Sequence, residues 1–132
     1  MSVGSLNPQA ESSGENTSFI NYKAAEALQN IIKTCFGPKG QYKMLVSGSG
    51  DVKITKDGKA LLSEMSIIHP TAALISRGAM AQVSDHGDGS LGLILLLTEL
   101  LKSSFRFISQ GIHPNVVLNE VSHVFKEAIE VL

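Results

Sequence analysis

The stretch His-Gly-Asp-Gly-Ser-Leu-Gly at residues 86–92 opens the longest apolar run of the chain. Residues 91–101 are almost all Leu, Ile and Gly, with Thr98 and Glu99 as the polar exceptions. This pattern predicts a helix that is buried nearly all round, and the rest of the chain is expected to pack around it.

The first turn of this helix is a candidate anion site. Gly87 and Gly89 carry no Cβ, so free backbone N–H groups and the positive end of the helix dipole are accessible there. Asp88 lies between them and would repel a phosphate unless a divalent cation such as Mg²⁺ joined the two. The residues therefore indicate a Mg-nucleotide site. A simpler interpretation stays open, because Asp is a favoured N-cap and Gly a common loop residue.

The composition is that of one folded domain. The chain has 132 residues, 43% of them hydrophobic and 17% charged, which suffices for a core. Aromatic residues make up 5% and Trp is absent, so stacking surfaces for nucleic acid are not expected. Residues 23–59 hold seven lysines against three acidic residues, and this local basic excess favours either an anionic ligand or a solvated lysine face.

Cysteine use and hydropathy indicate the compartment. Cys35 is the single cysteine, which excludes an internal disulfide, suits a reducing environment and is expected to pack as a small apolar residue. The first residues lack the pattern of a signal peptide, and the run at 91–101 is too short to span a bilayer. We expect a cytoplasmic protein with no membrane partner.

Before the organising helix, the sequence predicts a tail, a helix and a hairpin. Residues 1–17 are rich in Ser, Asn, Glu and Gly and predict a flexible N-terminal tail, in which residues 3–6 alone are a candidate edge strand. Apolar steps of three and four predict a helix capped by Thr17 or Ser18 and ended by Phe-Gly-Pro-Lys-Gly at residues 36–40. Residues 43–46 and 52–55 predict a β-hairpin, which must pack on the helices or pair with strands from elsewhere, including a neighbouring chain.

Further helices are expected at about residues 58–65, 71–83 and from Pro114 onward, with Asp57 as a candidate cap of the first of these. The inward residues predicted for the last two are Ala73, Leu74, Ile75, Ala79 and Met80, then Val117, Leu118, Val121, Val124, Phe125, Ile129 and Leu132. The four histidines do not have the spacing of metal ligands and are expected in loops or on the surface.

Three segments in register resemble the chaperonin nucleotide site. Residues 36–40 (Phe-Gly-Pro-Lys-Gly), 54–58 (Ile-Thr-Lys-Asp-Gly) and 87–90 (Gly-Asp-Gly-Ser) come in the order and at the spacing of the motifs LGPKG, TxDG and GDGTT. Residues 43–58, together with His-Pro-Thr-Ala at 69–72 and Gly-Ile-His-Pro at 111–114, resemble the group II cytosolic chaperonin (TCP-1) family, and within it the zeta-type subunits. The similarity runs from about residue 18 to the end of the chain.

The resemblance implies a mainly α fold with one β-hairpin, the N-terminal half of a chaperonin equatorial ATPase domain, over residues 18–132. It implies a subunit that binds ATP and Mg²⁺ and assists protein folding in a hetero-oligomeric double ring. The implied partners are other chaperonin subunits, whose sheet the hairpin would join, and unfolded protein clients.

The resemblance also implies roles for individual residues. Asp57 would lie close to the γ-phosphate and support hydrolysis, and Asp88 would ligate Mg²⁺. The implied nucleotide contacts are Gly37 and Pro38 through their backbone, and Gly87, Gly89 and Ser90 around the phosphates.

Departures from the family pattern predict weak or slow nucleotide turnover. Ser90 and Leu91 stand where the family has two threonines, and residues 83–86 (Val-Ser-Asp-His) replace its usual acids and threonine. A lost hydroxyl donor to a charged oxygen costs about 1.5–3 kcal/mol, or one to two decades in affinity.

The family's intermediate and apical domains and its returning equatorial segment are not part of these 132 residues. The chain alone is therefore expected to be inactive as an ATPase and to leave apolar faces exposed. The alternative interpretation is a truncated or degenerate relative that acts as a non-catalytic helical interaction or scaffold module.

Overall fold

The structure, a computed structural model, describes the backbone of residues 8–132 and the side chains of residues 17–132. The elements in chain order are α1 (Pro8–Ile32), β1 (Lys43–Val46), β2 (Val52–Thr55), α2 (Gly58–Glu64), α3 (Pro70–His86), α4 (Ser90–Ser109) and α5 (Pro114–Val131), and a 3₁₀ turn at Lys33–Cys35 extends α1. The prediction of a mainly helical chain with one β-hairpin is confirmed.

Helix α1 begins earlier than the sequence predicts. Its backbone is helical from Pro8, so the predicted start at Thr17 or Ser18 is wrong. A nucleated helix gains one hydrogen bond with each further residue, so it extends without apolar periodicity. The predicted edge strand at residues 3–6 lies outside the described residues, and the division into a tail (1–17) and a domain (18–132) stays a prediction.

The core lies where α1, α3 and α4 meet. Helix α1 packs on both other helices, and α2 packs on α3 and on the beginning of α4. Eight of the buried apolar residues form one cluster: Ala25, Leu28, Ile32, Leu62, Ala72, Ile75, Ala79 and Ile94. The organising helix of the sequence is therefore also central in space.

Helix α4 is nevertheless less enclosed than predicted. Ile94 and Thr98 are fully buried, but Leu96 is 52% exposed and Leu101 37%. The prediction of a helix buried nearly all round is wrong, because α1 and α3 cover one side of α4 while α5 makes a smaller contact on another. The expectation that apolar faces stay exposed is confirmed.

The inward faces of α3 and α5 were predicted only in part. Ile75 and Ala79 of α3 are buried as expected, but Leu74 is 69% exposed. Val117 of α5 is buried, whereas five residues predicted to point inward, four in α5 and one directly after it, are exposed: Leu118, Val124, Phe125, Ile129 and Leu132. Periodicity identifies an apolar face of a helix, but the tertiary structure decides whether anything covers it.

Two histidines have a structural role that the sequence did not reveal. His69 and His113 are the N-caps of α3 and α5, and each is followed by a proline at the first helical position. The His69 Nδ1 accepts a hydrogen bond from the backbone N–H of Thr71 at 3.3 Å, and the His113 Nδ1 accepts one from the backbone N–H of Asn115 at 3.2 Å.

The hairpin has the predicted bounds and extends away from the core. Its antiparallel register pairs Lys43 with Thr55 and Val46 with Val52. One ion pair connects the hairpin to α2: the Lys53 Nζ lies 3.0 Å from the Glu64 carboxylate. The exposed apolar side chains on the two strands are Met44, Val46, Val52 and Ile54. The sequence left open whether the hairpin packs on the helices or pairs with other strands. The structure shows little packing of the hairpin on the helices.

The buried hydroxyl of Thr98 leads to a stability prediction. Thr98 is 0% exposed, and its Oγ1 has no hydrogen-bond partner among the described residues. Thr98→Val keeps the shape and removes an unpaired polar group, so we expect the free energy of unfolding to rise by about 1 kcal/mol in urea denaturation. The matched variant Thr98→Ser keeps the hydroxyl and should lower stability, and equal stability of the two variants would contradict this account.

No helix in the described part of the chain is long and apolar enough to cross a membrane.

Candidate functional site

A hollow of about 420 Å³ lies where four parts of the chain meet: the turn after α1, the end of the hairpin, the beginning of α2 and the α3–α4 loop. Its lining residues are Cys35, Phe36, Gly37, Lys56, Asp57, Gly58, Asp88, Gly89, Ser90, Leu91 and Gly92. The three motif segments, which are separated in sequence, thus contribute to one concave surface.

Close packing of α2 on α4 brings the two acidic residues to this surface. Gly58, the first residue of α2, is buried, and a Cβ built on it would overlap the Ser90 Oγ and lie 2.9 Å from the Leu91 side chain. The absent side chain of Gly58 therefore permits the contact. Because Asp57 precedes Gly58 and Asp88 lies two residues before Ser90, the same contact places both acidic residues at the hollow.

Asp57 has the capping role that the sequence left open. It is the N-cap of α2, and its Oδ2 accepts a hydrogen bond from the backbone N–H of Ala60 at 2.9 Å. Its own backbone N–H donates to the Thr55 Oγ1 at 3.0 Å. Capping and lining the hollow are compatible, because a carboxylate has two oxygens and several lone pairs.

Asp88, in contrast, is not the cap of α4. The N-cap is Gly89, with φ 98° and no side-chain hydrogen bond to the helix. The Asp88 Oδ1 accepts a hydrogen bond from the Gly89 N–H at 2.7 Å, just outside the helix. Residues 90–92 line the hollow, and their first-turn N–H groups have no acceptor within the helix. A helix of 20 residues thus presents its positive end to the hollow beside a carboxylate.

Of the four remaining predicted site residues, two line the hollow and two do not. Gly37, with φ 88°, and Ser90, which is 3% exposed, both line the hollow. Pro38 and Gly87 are not among the lining residues. Gly87 is instead the C-cap of α3 with φ 83°, and its N–H donates to the Val83 carbonyl.

Several residues that line the hollow were not among the predicted site residues: Cys35, Phe36, Lys56, Gly58, Leu91 and Gly92. Cys35 is buried, as expected for a small apolar residue. Lys56 directly precedes the predicted site residue Asp57 and belongs to the basic segment 23–59. Both features of the sequence indicate that Lys56 is part of the site. The wall positions of Phe36 and Gly92 follow from tertiary contact: a Cβ on Gly92 would lie 3.9 Å from the Phe36 ring.

The site carries two carboxylates and one ammonium group. Among the residues with described side chains, no group of three or more His, Cys, Asp or Glu could hold a metal ion. A cation bound by protein ligands alone is therefore not favoured here. A single carboxylate beside helix N–H groups fits a Mg²⁺ ion that takes its other ligands from phosphate oxygens and water.

The comparisons with known proteins agree with the motif arrangement. Residues 28–132 match the TCP-1/cpn60 chaperonin family. The chain is 48% identical over 113 residues to T-complex protein 1 subunit zeta-2 of Homo sapiens, a region that covers 86% of this chain and 21% of that protein. The corresponding subunit of Mus musculus is 44% identical over 127 residues, which cover 96% of this chain and 24% of the relative.

The chain thus spans less than a quarter of the length of these curated relatives. The resemblance to zeta-type subunits, inferred from residues 43–58, 69–72 and 111–114, is confirmed over most of the sequence. On the family match and these identities, the chain belongs to the TCP-1/cpn60 chaperonin family.

Proposed function

We propose that this chain is the first part of a chaperonin equatorial domain and binds Mg-ATP in the hollow described above. The observation that carries the proposal is that Asp57, Asp88 and the uncapped beginning of α4 line one concavity. Each feature alone has an ordinary structural explanation. Their convergence from segments about thirty residues apart in the chain is what a triphosphate with a divalent cation requires.

Each group of residues at the hollow has its own proposed role in nucleotide binding. The N–H groups of residues 90–92 are donors for phosphate oxygens, and Asp88 provides the carboxylate that holds Mg²⁺. When bound, Mg²⁺ supplies positive charge that offsets repulsion between phosphate and carboxylate. Asp57, fixed by its hydrogen bond to Ala60, is the group proposed to orient or deprotonate the attacking water.

The proposed setting is a hetero-oligomeric ring in the cytoplasm. The hairpin supports this, because two strands with exposed apolar side chains and unpaired edges suit pairing with a sheet of an adjacent subunit. Other chaperonin subunits are therefore the proposed partners, and assisted folding of unfolded client proteins is the proposed activity of the ring.

Nucleotide binding by the chain is testable by NMR. We expect Mg-ATP to shift the amide resonances of Gly37, Gly89 and Gly92 in the ¹⁵N-labelled protein, and removal of Mg²⁺ with EDTA to reduce the shifts. Asp88→Asn should weaken the Mg²⁺-dependent binding about 10-fold or more, because an interaction between charged groups is lost.

Asp85→Asn is the matched control. Asp85 is an exposed residue of α3 close to the same loop, but it does not line the hollow. This variant should bind like the wild type. Shifts that are absent from the wild type, or that are equally strong in Asp88→Asn, would contradict the proposal.

A second candidate function is a non-catalytic scaffold module. It is favoured by the apolar groove of about 610 Å³ between α4 and α5, lined among others by Leu96, Phe107 and Phe125. A chain that assembles with chaperonin subunits but shows no nucleotide-dependent amide shift would support this function over the first.

A further inference from the structure

Leu91 is an apolar residue that lines the hollow, and its side chain has no group that could donate to a phosphate oxygen. It is the second residue of α4. Its side chain is half-buried and packs against the core cluster of α1, α3 and α4. Leu91 therefore belongs both to the core and to the lining of the hollow.

The Leu91 side chain also lies against the beginning of α2. Its Cγ and Cδ2 atoms are each 2.9 Å from the position that a Cβ would have on Gly58. Because Gly58 has no side chain, the contact at this point depends on side chains of α4. Of those nearest to Gly58, Ser90 is polar and Leu91 is apolar.

Helix α2 needs such contacts to hold its position. It has seven residues, and a helix of two turns is not stable by itself in water. Leu61 and Leu62 are buried in the middle of the helix, whereas its first three residues include a single buried one, Gly58. The contact with Leu91 is therefore an apolar anchor for the first turn of α2.

Asp57 follows the position of this turn. It is the N-cap of α2, and its Oδ2 is held by the backbone N–H of Ala60 at 2.9 Å. A displacement of the first turn would move this carboxylate, whereas Asp88 belongs to the α3–α4 loop and would stay in place. A misplacement of about 1 Å in a catalytic arrangement can cost about 100-fold in rate.

Resting on the proposed function, we propose that Leu91 is a positioning residue for ATP hydrolysis. Its side chain holds the first turn of α2 on α4, and this contact sets the distance from Asp57 to a nucleotide bound at the beginning of α4. Because Leu91 provides no ligand atom, it acts on the rate of hydrolysis and not on the affinity.

The test is single-turnover hydrolysis at saturating Mg-ATP by the complete subunit, in a ring whose other subunits are inactivated. Leu91→Ala should lower the rate about 10-fold and change the Mg-ATP affinity less than about 2-fold. Leu91→Met conserves the side-chain volume and should retain at least about half of the rate. Leu91→Val, a milder truncation that keeps the test open if the alanine variant does not fold, should lower the rate about 2- to 5-fold.

Leu97→Ala is the matched control. Leu97 lies in α4 and packs against the same core cluster, but it does not line the hollow. Both alanine variants should lower the urea midpoint of unfolding, because both remove buried methyl groups. Leu97→Ala should nevertheless hydrolyse ATP at the wild-type rate.

A second readout follows α2 directly, in the 132-residue chain without nucleotide. The Ala60 amide, which donates to Asp57, lies near the end of a short helix and exchanges its hydrogen by local opening. This exchange should be about 10-fold faster in Leu91→Ala and unchanged in Leu97→Ala.

The outcomes distinguish this inference from the proposed function. Wild-type hydrolysis in Leu91→Ala, or an equal loss in Leu97→Ala, would overturn the inference alone, because Leu91 would then serve stability only. A loss of affinity as large as the loss of rate would also overturn it, because Leu91 would then act on binding. No hydrolysis by the wild type would overturn the proposed function together with the inference, even if the Ala60 exchange showed that Leu91 holds α2.

Discussion

Asp57→Asn is expected to reduce ATP hydrolysis by this subunit at least about 100-fold in an assembled chaperonin ring, the lower end of what a positioned acid–base group contributes. Asparagine cannot accept a proton from water. It is, however, as good an N-cap as aspartate, so the hydrogen bond to Ala60 and the beginning of α2 should survive.

The measurement is single-turnover hydrolysis in rings whose other subunits carry the corresponding substitution, so that the remaining turnover comes from this chain. Asp57→Ala serves as the comparison. It removes both the charge and the cap, and should therefore lose turnover and also about 1 kcal/mol of stability. Unchanged turnover in Asp57→Asn would make Asp57 a cap alone. No turnover in these rings when this chain keeps Asp57 would make the chain a scaffold in the ring.

Gly58→Ala should lower the free energy of unfolding by about 1–3 kcal/mol, the usual cost of adding atoms to a closely packed contact. The new Cβ would overlap the Ser90 Oγ and press on the Leu91 side chain. Helix α2 would have to move away from α4. Since this contact brings Asp57 and Asp88 together, the amide shifts caused by Mg-ATP should weaken as well.

Gly78→Ala is the matched control and should have the opposite sign. Gly78 lies inside α3, and a Cβ there would have no neighbour within 4 Å. Alanine is the better helix former, so stability should rise by about 0.5–1 kcal/mol. Thermal unfolding of both variants checks the pair, and unchanged stability in Gly58→Ala would mean that the α2–α4 contact is looser than described.

Helices and strands were predicted well where a few neighbouring residues determine them. The hairpin bounds agree with the prediction because alternating residues flank a Gly-rich turn. The beginning of α5 at Pro114 follows from the preference of proline for the first turn. The start of α1 was missed, since residues 8–17 have no apolar period to reveal a helix.

The candidate site was predictable in its residues but not in its arrangement. Short motifs and a family resemblance pointed to Asp57, Asp88 and Gly37, all of which line the hollow. The packing role of Gly58 had no local signal. It depends on a contact between segments far apart in the chain.

The sequence by itself determined that this chain is helical with one hairpin, where most of its elements lie, and which family it resembles, because capping, periodicity and turn chemistry act over a few residues. Only the tertiary structure decided which apolar faces are covered and which acidic side chains share a cavity. Both depend on how helices cross one another, and the close contact of α2 with α4 is possible because Gly58 has no Cβ.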